Sequence, residues 1–212
     1  MVITISAQRN GINEVRKGMS MGVKEAFTVD VSNLSTKETE KVLMSYLKDV
    51  KGKKGPKKDR KTKEILVDNA EMKAISGNTV DIYATMDGKG DNSTVTFWFD
   101  LGGAFLSQDA HPDKMEAVSE WLYNFSKAAR LRTVELELEA EEDQLKALNK
   151  AYDKLQKEQE KLEDTIKKAE ETIANAKADL KSNANAQDNS KQSISEQERV
   201  IQDVKEKLKK VN

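Results

Sequence analysis

Few residues of this chain could carry chemistry, and cysteine is absent. Thiolate nucleophiles, disulfides and thiolate metal sites are therefore excluded. His111 is the single histidine, with Asp109 and Asp113 beside it and Ser107 before it. This spacing is typical of a helix start, where polar side chains accept hydrogen bonds from first-turn N–H groups, rather than of a nucleophile, a base and an orienting carboxylate. The sequence predicts no catalytic residue, no metal site and no cofactor.

Basic residues are concentrated between Lys51 and Lys63, a stretch with two glycines and one proline that is predicted to be a loop. Clustered positive charge can bind an anionic ligand or surface. The candidate anion-binding residues are Lys53, Lys54, Lys57, Lys58, Arg60 and Lys61. The loop has no aromatic residue for base stacking and only one arginine for bidentate recognition, so nucleic acid is not the expected partner. The alternative is a solvated, mobile loop that aids solubility.

The segment Asp87–Asn92 weakly resembles a calcium-binding loop, because acidic residues flank two glycines. It lacks the further acidic positions and the bidentate glutamate that follows the glycine in such loops, and Thr94 stands at that place. A hairpin turn is the expected structure.

Alternating apolar and polar residues predict the elements that position these groups. Residues 26–31 alternate as a half-buried strand, and Ser35 with Glu38 forms a capping box that opens a helix. Four further strands are predicted, at 65–67, 70–75, 80–86 and 95–101. Pro112 is placed to begin a second helix, whose apolar face would pack on the sheet. Tyr83 and Trp98 lie on the other face of the sheet, which is either an open surface available for binding or covered by the N-terminal lead-in or by a second subunit.

The predicted fold class is thus α+β, an antiparallel sheet with β-α-β-β-β-β-α order followed by a long helical coiled coil. The order over about residues 26–130 resembles the TATA-box-binding-protein-like topology, and the resemblance carries no function. Three regions are predicted: 1–25, a signal-peptide remnant and flexible lead-in; 26–130, the α+β head; and 131–212, the coiled coil.

Steps of four and three residues from Val134 reach apolar residues or tyrosine at 17 of 23 positions, in one register to Val211. A helix with this much charge needs a partner for so narrow an apolar seam. The predicted partner-binding residues are Leu145, Leu148, Leu155, Leu162, Ile166, Ile173, Leu180, Ile201 and Leu208. The polar core positions Gln159 and Asn183 either set the register or are tolerated defects.

The segment 183–190 is polar and rich in poor helix formers. Two alternatives remain: a hairpin bend there, which folds the end of the chain back, or one continuous helix that pairs with another chain.

The N-terminus, Met1–Gln8, is a short apolar run that ends in Ser-Ala before glutamine. It has the form of the end of a signal peptide, or else of an ordinary first strand. The stretch Val95–Ser107 followed by His-Pro-Asp-Lys resembles uncharacterised exported proteins of Bacteroidota-type bacteria, and this resemblance implies a periplasmic or secreted location, with the cytoplasm as the alternative. No run of the chain is apolar over the ~18 residues that span a bilayer.

The expected function is that of a non-enzymatic structural or interaction protein whose coiled coil mediates self-association or binds a protein partner. The alternative is a ligand-binding module, in which the basic loop or the open sheet face captures an anionic ligand or surface.

Overall fold

The computed structural model describes residues 12–211. The predicted signal-peptide remnant, Met1–Gln8, lies outside this range. The chain divides into two compact units, the first ending at Glu142 and the second beginning at Asp143. The elements of the described chain are, in order, β1 (Ile12–Met19), β2 (Gly22–Ser32), α1 (Thr36–Lys48), β3 (Lys57–Lys58), β4 (Ile65–Ala70), β5 (Val80–Lys89), β6 (Asn92–Asp100), a 3-10 turn (Pro112–Lys114) and α2 (Met115–Val211). The chain is therefore α+β, as predicted.

Within residues 12–211 the strands form one six-stranded antiparallel sheet in the order β1-β2-β6-β5-β4-β3. Short turns join β1 to β2 and β5 to β6, and such turns require antiparallel neighbours. Both turns have two residues: Met19 pairs with Gly22, and Lys89 pairs with Asn92 across Gly90 and Asp91. The segment Asp87–Asn92 is thus a hairpin, as expected from its turn-forming residues.

One face of the sheet carries the core, and both helices pack on it. Ser35 caps α1 by accepting a hydrogen bond from the N–H of Glu38, which confirms the predicted cap. The carboxylate of Glu38 bonds to Lys41 and Arg132, so the reciprocal bond of a capping box is not formed. The apolar stripe predicted for the second helix is also confirmed. Its buried residues join those of α1 and of the inner strand faces in a single cluster that includes Leu43, Leu47, Val29, Ile82, Phe97, Phe99, Val118, Leu122, Phe125 and Ala129.

Two predicted elements differ from the structure. Residues 12–25, expected to be part of a flexible lead-in, form β1 and the start of β2, so two strands precede α1 instead of one. The apolar alternation of a strand is missing there, because residues 12–25 are exposed or half-buried and full burial begins only at Ala26. Residues 71–79, expected to contain a strand, are turns and bends. The short strand β3 lies instead inside the basic loop and pairs with β4.

The second face of the sheet is not open. The β1–β2 hairpin extends beyond β6, since only Phe27 to Ser32 of β2 pair with β6. Its turn crosses the second face, because Ser20 hydrogen-bonds to Glu64 at the start of β4. Lys17 of β1 likewise reaches Thr96 of β6 and Asp87 of β5, at 3.1 and 2.7 Å. Trp98 is consequently 0% exposed. Of the two alternatives, cover by the N-terminal lead-in describes the structure, and an open surface at Trp98 is wrong.

Residues 183–190 are helical within α2. The predicted hairpin bend is therefore not present, and the helix is continuous. The other part of that alternative, pairing with another chain, stays a prediction. Helical hydrogen bonding satisfies the backbone through this polar stretch. The side chains of Gln187 and Asn183 also bond to each other at 2.6 Å, four residues apart on the same side of the helix.

Candidate functional site

A groove of about 610 Å³ brings the basic loop and the second sheet face together. Residues from three places line it: Ser20 of the β1–β2 turn, residues 57–62 and Glu64 around β3, and Leu66 and Tyr83 of the sheet. The volume lies within the range of small-molecule sites, about 300–1,000 Å³. Two features that the sequence offered as separate candidates therefore share one concave surface.

The floor of the groove is set by the strand register. Lys57 pairs with Leu66, Leu66 with Tyr83, and Tyr83 with Trp98, so these four side chains form one row on the same face. The row grades from exposed Lys57 through half-buried Leu66 and Tyr83 to buried Trp98. Burial, together with the carboxylates of Asp81, Asp100, Glu64 and Asp68, raises the pKa of Tyr83 above its ordinary value. Tyr83 therefore offers a neutral phenol at physiological pH.

The basic wall of the groove is held by a hydrogen-bonded turn. One carboxylate oxygen of Asp59 accepts from the N–H groups of Lys61 and Thr62, at 2.7 and 2.9 Å. These bonds are the main reason that the pKa of Asp59 lies below its usual range. Lys63 adopts a left-handed conformation, φ 63°, and its N–H closes the turn on the carbonyl of Asp59. This part of the loop is thus built into the β3–β4 connection.

The opposite wall is Glu64, which is 7% exposed. Its two carboxylate oxygens accept from the N–H and the hydroxyl of Ser20, both at 2.6 Å. Asp59 and Glu64 are therefore occupied by structural hydrogen bonds. Lys58 pairs with Glu40, whereas Lys57, Arg60 and Lys61 make no ion pair within residues 12–211.

The structure separates the remaining predicted anion-binding residues from this groove. Lys53 and Lys54 are exposed and do not line it. The six candidate side chains thus divide into four at the groove and two outside it. Sequence spacing could not show this division, because it depends on the pairing of β3 with β4.

His111 stands before the 3-10 turn that leads into α2. Its N–H bonds to the carbonyl of Ser107 at 2.9 Å, and the Ser107 hydroxyl accepts from the N–H of Ala110 at 3.2 Å. These bonds close the turn that precedes the helix, and the side chain of His111 makes no capping hydrogen bond there. No cluster of three or more potential metal ligands occurs among the described residues.

A second groove, of about 390 Å³, lies between α1 and α2 within the first unit. Its charged residues neutralise one another: Arg132 donates to Glu38 at 3.1 Å, and Lys41 also bonds to Glu38. Lys41 and Arg132 lower the pKa of Glu38. Because Glu38, Lys41 and Arg132 already pair with one another, we assign this groove to the contact between α1 and α2 and not to a ligand.

The predicted seam of α2 is exposed along the second unit. The apolar side chains on it range from 45% exposed at Ile201 to 71% at Leu180. All nine predicted partner-binding residues are among them: Leu145, Leu148, Leu155, Leu162, Ile166, Ile173, Leu180, Ile201 and Leu208. None of the described helices is long and apolar enough to cross a membrane.

The chain matches no protein-family model, no curated protein and no solved structure. The resemblances to TATA-box-binding-protein-like topology and to exported Bacteroidota-type proteins therefore stay predictions. Any function assigned to this chain rests on the geometry of the groove and of the seam.

Proposed function

We propose that this chain is a non-enzymatic structural protein that self-associates through the seam of α2, with the second units of two copies paired antiparallel. The observation that carries the proposal is the exposed apolar seam in one unbroken heptad register. Full burial of a leucine or isoleucine side chain contributes about 1.5–3 kcal/mol. A row of such side chains therefore gives a large gain to any partner that covers it.

A second copy of the same chain fits the seam by the sizes of its core residues. The heptad positions named a hold large residues such as Ile166, Ile173 and Leu180, and the positions named d hold small or polar ones over four successive heptads: Ala169, Ala176, Asn183 and Ser190. In a parallel pair in register, each d residue faces its own copy. Four core layers would then consist only of small or polar side chains.

Antiparallel pairing removes this defect, because each layer then combines an a residue of one helix with a d residue of the other. The small residues Ala169 and Ala176 lie opposite larger a residues of the partner, and large and small side chains alternate across the core. This result holds for every antiparallel register of the heptads. The sizes of the core residues thus favour the antiparallel orientation.

Charges beside the seam favour the same orientation independently. In a parallel pair of second units, the only contact between two charged flanking residues is Glu158 with Glu163, and it is repulsive. In an antiparallel pair, the flanking positions named e face each other, so an e residue from the first half of one helix lies near an e residue from the second half of the other. The early half carries Glu163 and Glu170 at these positions, and the late half carries mostly lysine: Lys177, Lys191 and Lys205.

Self-association is tested by Ile166→Asp together with Ile173→Asp, which places two charges in the core of the pair. The matched control, Asn175→Asp with Ala178→Asp, adds two negative charges on the outer side of the same helical segment. Sedimentation equilibrium of the full chain should give a dimer for the wild type and the control, and a monomer for the seam variant. A wild-type monomer over the micromolar range would overturn the proposal.

Orientation is tested by spin labels, since the absence of cysteine allows single labels at Lys161→Cys and Arg199→Cys. Both residues lie on the outer side of the helix. Copies labelled at the same site should be about 40 Å or more apart, and a mixture of the two variants should give a distance of about 20–25 Å, from the rise and diameter of helices. A dimer with the reverse pattern is parallel, which would overturn the orientation but not the self-association.

A further inference from the structure

We propose that the groove beside the basic loop binds a small organic anion, whose charged group contacts Lys57, Arg60 and Lys61 and whose flat apolar body lies on Leu66 and Tyr83. The groove belongs to the first unit, and this proposal is independent of the seam of α2.

The charge balance of the groove supports an anionic ligand. Four cations line the groove against two acidic side chains, and Asp59 and Glu64 both accept hydrogen bonds from N–H or hydroxyl donors of the protein. Three of the four cations have no ion-pair partner in the described part of the chain. The positive charge of the wall is therefore available to a ligand, and low-polarity surroundings on one side strengthen its attraction for an anion.

The geometry of the wall supports a site rather than a diffuse basic surface. Arg60 lies inside the turn that Asp59 and Lys63 close, so its backbone is fixed at the rim of the groove. Lys57 is fixed by its pairing with Leu66 in the sheet. Cations held on a defined backbone lose less conformational freedom on binding than those of a mobile loop.

The floor decides which kind of anion fits. Leu66 and Tyr83 are neighbours across β4 and β5, and both are half-buried, so together they present a partly apolar, partly aromatic surface. An aromatic ring on Tyr83 gains stacking as well as burial. The phenol of Tyr83 makes no hydrogen bond within residues 12–211 and can donate one to the ligand. A phosphate or carboxylate group joined to a planar apolar body would contact the basic wall, the apolar floor and the hydroxyl of Tyr83 together.

The probes are phenyl phosphate, inorganic phosphate and benzyl alcohol, each titrated calorimetrically into the full chain. Phenyl phosphate should bind most tightly, and raised salt should weaken it because the wall is exposed. Benzyl alcohol, which lacks the anion, should not bind measurably. Absence of phenyl phosphate binding at millimolar concentration would overturn the proposal.

Two variants separate the parts of the site. Replacing Lys57, Arg60 and Lys61 by glutamine should raise the Kd for phenyl phosphate about tenfold, as expected for three exposed charge contacts. The control replaces Lys51, Lys53 and Lys54 by glutamine, which removes the same charge from the same loop outside the groove, and should change the Kd by less than about twofold. Equal losses in both triple variants would show a diffuse charge effect and overturn the site.

Tyr83→Ser tests the floor. It should raise the Kd for phenyl phosphate about fivefold, by loss of the aromatic contact, and leave the Kd for inorganic phosphate unchanged. Equal weakening of both ligands would overturn the apolar contact. Amide NMR shifts of the wild type provide a measurement that needs no variant: phenyl phosphate should shift Thr62, Leu66 and Tyr83, and shifts confined to other residues would place the ligand elsewhere and overturn the proposal.

Discussion

Ser20 and Glu64, separated by 44 residues in sequence, are joined by two hydrogen bonds of 2.6 Å each. These bonds connect the turn of the β1–β2 hairpin to the beginning of β4, across a face that would otherwise be accessible to water. The acceptor is a carboxylate that is 7% exposed, and the pair holds the hairpin turn against the face on which Trp98 is buried.

Glu64→Ala should lower the free energy of unfolding by about 1.5–3 kcal/mol, since hydrogen bonds to a charged group are lost. Ser20→Ala should lower it by less, because the N–H of residue 20 still donates. The double variant should show coupling between the two sites. Urea unfolding measures all three, with Ser45→Ala as a control expected to stay within about 0.5 kcal/mol. Additive effects of the two single changes would contradict the contact.

Tyr46 of α1 packs edge-on against Trp121 and Phe125 of α2, and its hydroxyl donates to the carbonyl of Trp121 at 2.7 Å. Burial raises the pKa of Tyr46 from 10.0 to about 12. The folded state therefore keeps the phenol proton at a pH where the unfolded state releases it. The resulting stability is fully present below pH 10 and is lost as pH rises to about 12.

Tyr46→Phe should reduce this alkaline loss, leaving the part that the raised pKa of Tyr83 contributes, and should also lower stability below pH 10 by about 1 kcal/mol, the contribution of one hydrogen bond. Unfolding free energies of the two proteins between pH 8 and 11.5 measure both effects. Tyr123 is 38% exposed on α2 outside the seam, so Tyr123→Phe is the matched control and should leave the alkaline loss in place. An alkaline loss of unchanged size in Tyr46→Phe would assign it to another group.

Gly88 of β5 lies where any side chain would meet the neighbouring strand. A Cβ there would come within 2.6 Å of the Asn92 carbonyl oxygen and 2.8 Å of the Ser93 Cα. Because these are backbone atoms, Gly88→Ala should shift the hairpin and lower stability by about 1–3 kcal/mol. Gly90, two residues on, has φ +65° but open space around it, so Gly90→Ala should cost only about 1 kcal/mol. Thermal unfolding compares the two, and a smaller loss for Gly88→Ala would contradict the close approach.

The sequence predicts an element correctly where the spacing of a few neighbouring residues is enough to determine it. The alternation around Val95–Leu101, the Ser35 cap and the apolar stripe from Met115 to Ala129 each depend on local spacing, and the structure confirms these elements. The length of α2 also reflects local evidence, because neither glycine nor proline interrupts it. Whether the seam is covered depends on a second chain, and the pairing stays a prediction.

The pattern fails where strands are exposed or where long-range contacts decide. Residues 12–25 pair with one another and with residues 26–29 in the β1–β2 hairpin, but none of their side chains is fully buried, so apolar alternation does not mark these strands. The burial of Trp98 involves a long-range contact, since Ser20 and Glu64, which hold the hairpin across this face, are 44 residues apart. The groove was equally hidden: Leu66 and Glu64 carry no sequence signal for a site, and only the alignment of β3, β4 and β5 places them beside Arg60.

The two-residue strand β3 also protects the sheet. Lys57 and Lys58 are its only members, and they occupy the outer side of β4, which would otherwise present unpaired N–H and carbonyl groups. A strand this short, charged at both positions, gives an incoming chain almost nothing to extend. The two lysines that line the groove therefore also disfavour edge-to-edge aggregation at this edge of the sheet.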